Sequence, residues 1–195
     1  MTQQFTAHTP LAPFEALMQQ CPNFRKKGGG RMAVPDLKTA NLTHGELAHQ
    51  LAKSVGDAEF IQRTRKLLPP RTATPFLDPA HQQRMNALAA KMNRDNPAHI
   101  SAAFLLSATP KLWARACKAV GNNGIIWSRI PYWGLDWDEG FLRQAAEDLS
   151  RREWRIPLDE LCDPKAFGDN LFRSLVSAFV LRRYGWTAEP MANCG

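Results

Sequence analysis

The chain has 195 residues, 44% of them hydrophobic and 22% charged, with 25 Lys and Arg against 18 Asp and Glu for a formal net charge of +7. That balance suits a folded chain of one domain, or of one domain plus an appendage, and it excludes wholesale disorder, a collagen-like repeat and a disulfide scaffold. No apolar run reaches the roughly 18 residues of a membrane-spanning helix, and Met1 to Gln20 lack the basic-then-apolar order of a secretory signal.

The positive charge is unevenly spread. Residues 1–97 hold 13 basic and 7 acidic side chains, residues 98–195 hold 12 and 11, and the stretch 21–71 alone holds 10 against 4. A segment of this kind concentrates polyanions around it, because Lys and Arg release counterions when they meet phosphates. The four cysteines, Cys21, Cys117, Cys162 and Cys194, form no CxxC pair and no zinc spacing, so free thiols in a reducing cytoplasm are expected.

In chain order, a breaker-rich arm comes first, over 21–41, with Pro22, Gly28, Gly29, Gly30 and Pro35. A helical hairpin is predicted over 43–68. Thr43 and Glu46 have capping-box spacing, Leu47, Leu51 and Val55 make one apolar face, Gly56 ends the first helix and Asp57 starts the second, with Ile61 and Leu68 inward. Pro69, Pro70 and Pro75 then break the chain. Asp78-Pro79, Asn96-Pro97 and Thr109-Pro110 each read as an N-cap followed by a first helical position, where the missing proline amide costs nothing. The inward sides are Met85, Leu88, Ala89 and Met92; Ile100, Phe104 and Leu105; and Leu112, Trp113, Ala116 and Val120, with Cys117 in the core and Gly121 as a stop. Ile125 to Ile130 is the best strand candidate. Trp137 to Leu149 is predicted helical, and so is a stretch from Asp169 or Asn170 to Gly185, with Leu171, Phe172, Leu175, Val176, Phe179 and Val180 in a wide apolar stripe and Arg182 and Arg183 in its last turn. The expected class is mostly α, with at most one or two short strands. It divides into a basic region 1–77, holding the arm and the hairpin, a helical core domain 78–187, and a tail 188–195.

Few residues match a known chemistry. In His44-Gly45-Glu46-Leu47-Ala48-His49 the histidines are five apart, which turns them about 140° from each other on a helix. A zincin needs them four apart, so two surface histidines are expected and no metal. In Asn23 to Arg31, three glycines sit among Arg25, Lys26, Lys27 and Arg31. This is not a Walker A loop, since no Gly-Lys-Ser/Thr follows; it is a linker whose cations are free to meet phosphates. Trp127, Tyr132, Trp133 and Trp137 cluster near Arg129. Core packing beneath a loop is the commoner use of such a cluster, and a partner-binding hot spot or a base-stacking platform is the alternative. Asp136, Asp138 and Glu139 surround a helix start, where they favour the dipole. No serine elbow, Cys/His signature or dinucleotide fingerprint is present.

Ala103-Phe104-Leu105-Leu106-Ser107-Ala108, Leu112-Trp113, Gln144 to Leu149, Asn170 to Arg173 and Ala178 to Gly185 together resemble an uncharacterised family of small helical proteins of bacterial phages and integrative elements. The resemblance covers 99–186, implies a mobile-element origin, and carries no catalytic residues. The expected function is that of a non-enzymatic cytoplasmic binding protein without cofactor, acting on nucleic acid or a nucleic-acid-handling complex such as a defence ribonucleoprotein, which an anti-CRISPR-like inhibitor would do. The expected contacts are Arg25, Lys26, Lys27, Arg31, Arg63, Arg65 and Lys66, with Trp127, Arg129, Tyr132, Trp133 and Trp137 as a second surface for a partner. The alternatives are a metal-dependent nuclease or other hydrolase using the acids near Trp137, and a protein–protein adaptor built on the tryptophans.

Overall fold

A computed structural model describes residues 42–151 and 158–186. Within them the protein is mostly helical: α1 (His44–Val55), α2 (Ala58–Leu67), α3 (Pro79–Ala89), α4 (Pro97–Leu106), α5 (Pro110–Ala116), α6 (Trp137–Arg151), α7 (Leu158–Cys162) and α8 (Asp169–Tyr184). The only described sheet is a two-stranded antiparallel one, β1 (Val120–Gly121) against β2 (Gly124–Ile125), with Val120 opposite Ile125. The arm at 21–41 and the tail at 188–195 lie outside the described residues.

Helix α4 is the hub. Its residues Ile100 to Leu106 are all buried, so it is apolar on every side and packs against α3, α5, α6 and α8 at once. Ser101 and Ser107 are tolerated there because each hydroxyl donates back into its own helix, to the carbonyls of Ala98 and Phe104. The hairpin of α1 and α2 packs onto α8, and its Ala48, Leu51, Phe60 and Leu68 join the same core as Phe104 and Phe172. Residues 43–68 and 78–186 therefore share one interior.

The helix starts are set locally. Thr43 and Glu46 form the capping box, and the side chains of Asp57, Asp78, Asn96 and Thr109 each accept a bond from the first turn they precede. Gly56 closes α1 in the left-handed region, at φ +82°. Gly45 allows a closer contact: a Cβ there would lie 2.0 Å from the Pro69 carbonyl oxygen, while the Gly45 amide donates to Thr72 at 2.9 Å. That approach locks the segment after α2 against the start of α1.

Several expectations need correction. Only Ile125 of the stretch Ile125 to Ile130 is in a strand; Trp127–Arg129 is a 3-10 turn. Helix α5 ends at Ala116, and Val120 belongs to β1. Val55 is exposed, the inward face of α1 being Ala48, Leu51 and Ala52. Cys117 is only half-buried, whereas Cys162 is buried and its thiol is pushed up to about 11, first by burial and then by the Asp57 and Glu59 charges.

Candidate functional site

The residues singled out by sequence separate into three groups. Arg25, Lys26, Lys27 and Arg31 lie outside the described residues. Arg65 and Lys66 are exposed in the last turn of α2. Arg63, two residues earlier, is buried: its guanidinium donates to the carbonyls of Leu161 (3.1 Å), Cys162 (3.2 Å) and Phe167, pairs with Asp169 (3.4 Å) and lies 4.4 Å from the centre of the Phe172 ring. It satisfies the end of α7 and the turn into α8, so it is withdrawn from the cationic surface.

Neither histidine of the zincin-like string is a free surface group. His44 is buried and shares a 2.9 Å hydrogen bond with Ser177 of α8; burial, and then the Arg173 charge, lower its pKa to about 4. His49 is half-buried on the same helix. Glu46 is held in the capping box. A second buried imidazole, His81, accepts from the Leu77 amide at Nδ1 (3.3 Å), so Nε2 carries the proton and donates to the Phe104 carbonyl (3.0 Å). Burial lowers its pKa to about 4, partly opposed by that carbonyl. His44 and His81 are neutral structural groups. Among the described residues no three His, Cys, Asp or Glu side chains come together as a metal site.

The acids near Trp137 are used locally. Asp136 accepts from the Glu139 amide (2.8 Å) and Glu139 reaches back to the Asp136 amide (3.3 Å), a capping box for α6. Glu139 also accepts from the Thr109 hydroxyl (3.2 Å) and pairs with Lys111 (3.1 Å), tying the starts of α5 and α6 together. Glu147 is bonded to Arg143 and to Arg151 (2.6 Å).

The tryptophan cluster proves to be largely surface. Trp133 is 76% exposed, Trp137 59%, Ile126 48% and Tyr132 47%. Trp127 is the half-buried tryptophan of the cluster, packed against the core. Arg129 is exposed and donates to the Lys118 carbonyl (3.1 Å). The exposure is concentrated: of the large hydrophobic side chains exposed among the described residues, only Val55 falls outside 126–137.

Two arginines from neighbouring helices hold this loop in place. Arg143 of α6 is buried beneath it and donates to the carbonyls of Ile130 (2.9 Å) and Trp127 (3.5 Å) and to the Tyr132 hydroxyl. The Tyr132 hydroxyl donates onward to Gln144, which donates to Asp148 (2.8 Å). The Arg143 guanidinium also lies 4.1 Å from the Tyr132 ring centre and 5.3 Å from that of Trp127. Arg115 of α5 donates to the carbonyls of Pro131 and Trp133 (2.9 Å) and lies 5.1 Å from the Trp133 ring centre. Gly134, at φ +72°, makes the turn that returns the chain from Trp133 to α6. Trp137 rests on Phe141 and Phe167. Sequence reasoning missed Arg115, Arg143 and Ile126. Arg143 has a faint local signal in its four-residue spacing to Glu147, but nothing in the sequence aims either arginine at this loop.

Comparison of the chain with protein-family models, with curated proteins and with solved structures finds no match. No helix among the described residues is long and apolar enough to cross a membrane.

Proposed function

We propose that this is a non-enzymatic binding protein whose partner is a polyanion, either nucleic acid or a nucleic-acid-handling complex. One observation carries the reading: the cationic excess of 21–71 stays at the surface where it is described. Lys53, Arg65, Lys66 and Arg71 are all exposed, and only Arg63 is turned inward. Of the acids in the same stretch, Glu46 and Asp57 are engaged with backbone amides as helix caps. The phage-like pattern of 99–186 supports a mobile-element origin, where an inhibitor of a defence ribonucleoprotein would have this size and charge.

The test is binding of labelled nucleic acid by the full chain across a salt series. Neutralising Arg25, Lys26, Lys27, Arg31, Arg65 and Lys66 together is expected to weaken binding and flatten its salt dependence, by up to about 0.9 in log–log slope for each phosphate that no longer meets a cation. Equal affinity and equal slope in the neutralised chain would end this reading.

A further inference from the structure

We infer that the 126–137 loop is a preformed stacking platform for unpaired bases, so that the nucleic acid this chain takes is single-stranded. The inference rests on the polyanion reading above and adds to it a second surface and a choice of strand form.

Three observations converge. The first is exposure: the rings of Tyr132, Trp133 and Trp137 face solvent in a segment that the rest of the domain has every apolar reason to cover. A concentrated apolar patch on a water-facing loop marks a contact surface, unlike scattered exposed side chains. The second is fixation. Before Trp137, which opens α6, the loop contains no α-helix and no more than a 3-10 turn, yet Arg143 and Arg115 grip its carbonyls at Trp127, Ile130, Pro131 and Trp133. Rings held this way give up little freedom on binding, which is what makes a stacking contact favourable. The third is charge. The Arg115 guanidinium lies beside Trp133, and Arg129, in the same loop, is exposed and bonded to the Lys118 backbone carbonyl.

A protein hot spot also uses Trp, Tyr and Arg. Arg115 beside the Trp133 ring and the exposed Arg129 of the same loop favour a phosphate backbone instead. Aromatic rings beside cationic side chains are the elements by which single strands are bound without sequence preference: bases stack while phosphates meet Lys and Arg. A paired duplex hides its base faces and has nothing to offer the rings. Of the nearby acids, Asp138 is exposed, Asp136 is occupied as a helix cap, and Glu147 and Asp148 are buried and bonded to Arg143 and Gln144. The strand is therefore placed on Tyr132 and Trp133, with Arg115 beside the Trp133 ring.

The experiment uses the full chain with a labelled oligothymidine strand and a labelled duplex of equal length at low salt. Wild type is expected to prefer the single strand. Trp133→Ala is expected to weaken single-strand binding roughly tenfold, the range for removal of one stacked base, and to leave duplex binding unchanged. Trp133→Phe is expected to keep most of the affinity. Because Trp133 is exposed, these variants should melt with the wild type; Arg129→Ala, which removes charge without touching a ring, should weaken both forms equally and gives an independent check on the charged edge. Equal binding of strand and duplex with a silent Trp133→Ala would overturn the platform and leave the polyanion reading standing. Failure to bind either form would overturn both.

Discussion

Arg63 at the α2–α7–α8 corner and Arg143 beneath the 126–137 loop are built alike. Each is a buried guanidinium beside an aromatic ring, donating to backbone carbonyls, at a helix end in one case and in a loop in the other, and pairing with one carboxylate. At the corner, the ring is Phe172, fully buried, and the arginine closes the interior. At the loop, the ring is Tyr132, about half exposed, and it belongs to a row of rings that water reaches. The same interaction seals one region and displays another. The difference lies in what stands beyond the ring: at the corner Phe172 is backed edge-on by Phe60, whereas no described helix covers Trp133.

The largest effect is expected at the corner. Arg63→Met should cost about 4 kcal/mol by urea denaturation, because three buried carbonyls are deprived of their donor together. A cost below about 1 kcal/mol would mean that the corner does not depend on the guanidinium. Arg143→Met should cost less, about 2 kcal/mol, since Glu147 keeps Arg151 as a partner and the loop can find water. Its clearer signature is altered tryptophan emission from the loop.

Acid separates the regions in another way. His44 and His81 are lowered to about 4 in the folded state, so between that value and the ordinary 6.5 the unfolded chain binds more protons. Stability from these groups is complete above pH 6.5 and falls with pH down to about 4. From pH 7 to pH 5 each should remove about 2 kcal/mol, and His81→Gln should remove its own share of that slope. The 126–137 loop has no histidine, so its binding should be insensitive to pH over the range in which the protein stays folded.

Smaller effects sharpen the contrast. Gly134→Ala should cost about 1 kcal/mol from its positive φ, with a Cβ only in ordinary contact with Arg115 at 3.6 Å. Trp133→Ala should shift stability by less than about 0.5 kcal/mol. A large destabilisation there would mean that the ring supports the fold instead of being displayed.

Much of the helical layout was readable in the chain. The Thr43–Glu46 box, the three proline-led starts and the apolar stripe of α8 each act within a few residues, and local geometry is what a sequence pattern records. The strand expectation at Ile125 to Ile130 held only at Ile125: β-branched residues there suited a strand, while Arg143 from a neighbouring helix holds the carbonyls of Trp127 and Ile130 about a 3-10 turn. The site was half readable. The aromatic cluster was visible as composition, but tryptophan is equally at home in cores and at contacts, so its exposure was not.

The sequence by itself determined that the chain makes short capped helices around an apolar interior and carries more positive charge in its first half than in its second. Tertiary structure decided which cations remain at the surface and which rings face water. Whether an arginine meets solvent or a ring of carbonyls depends on what other elements bring to it, and those partners lie up to about a hundred residues away.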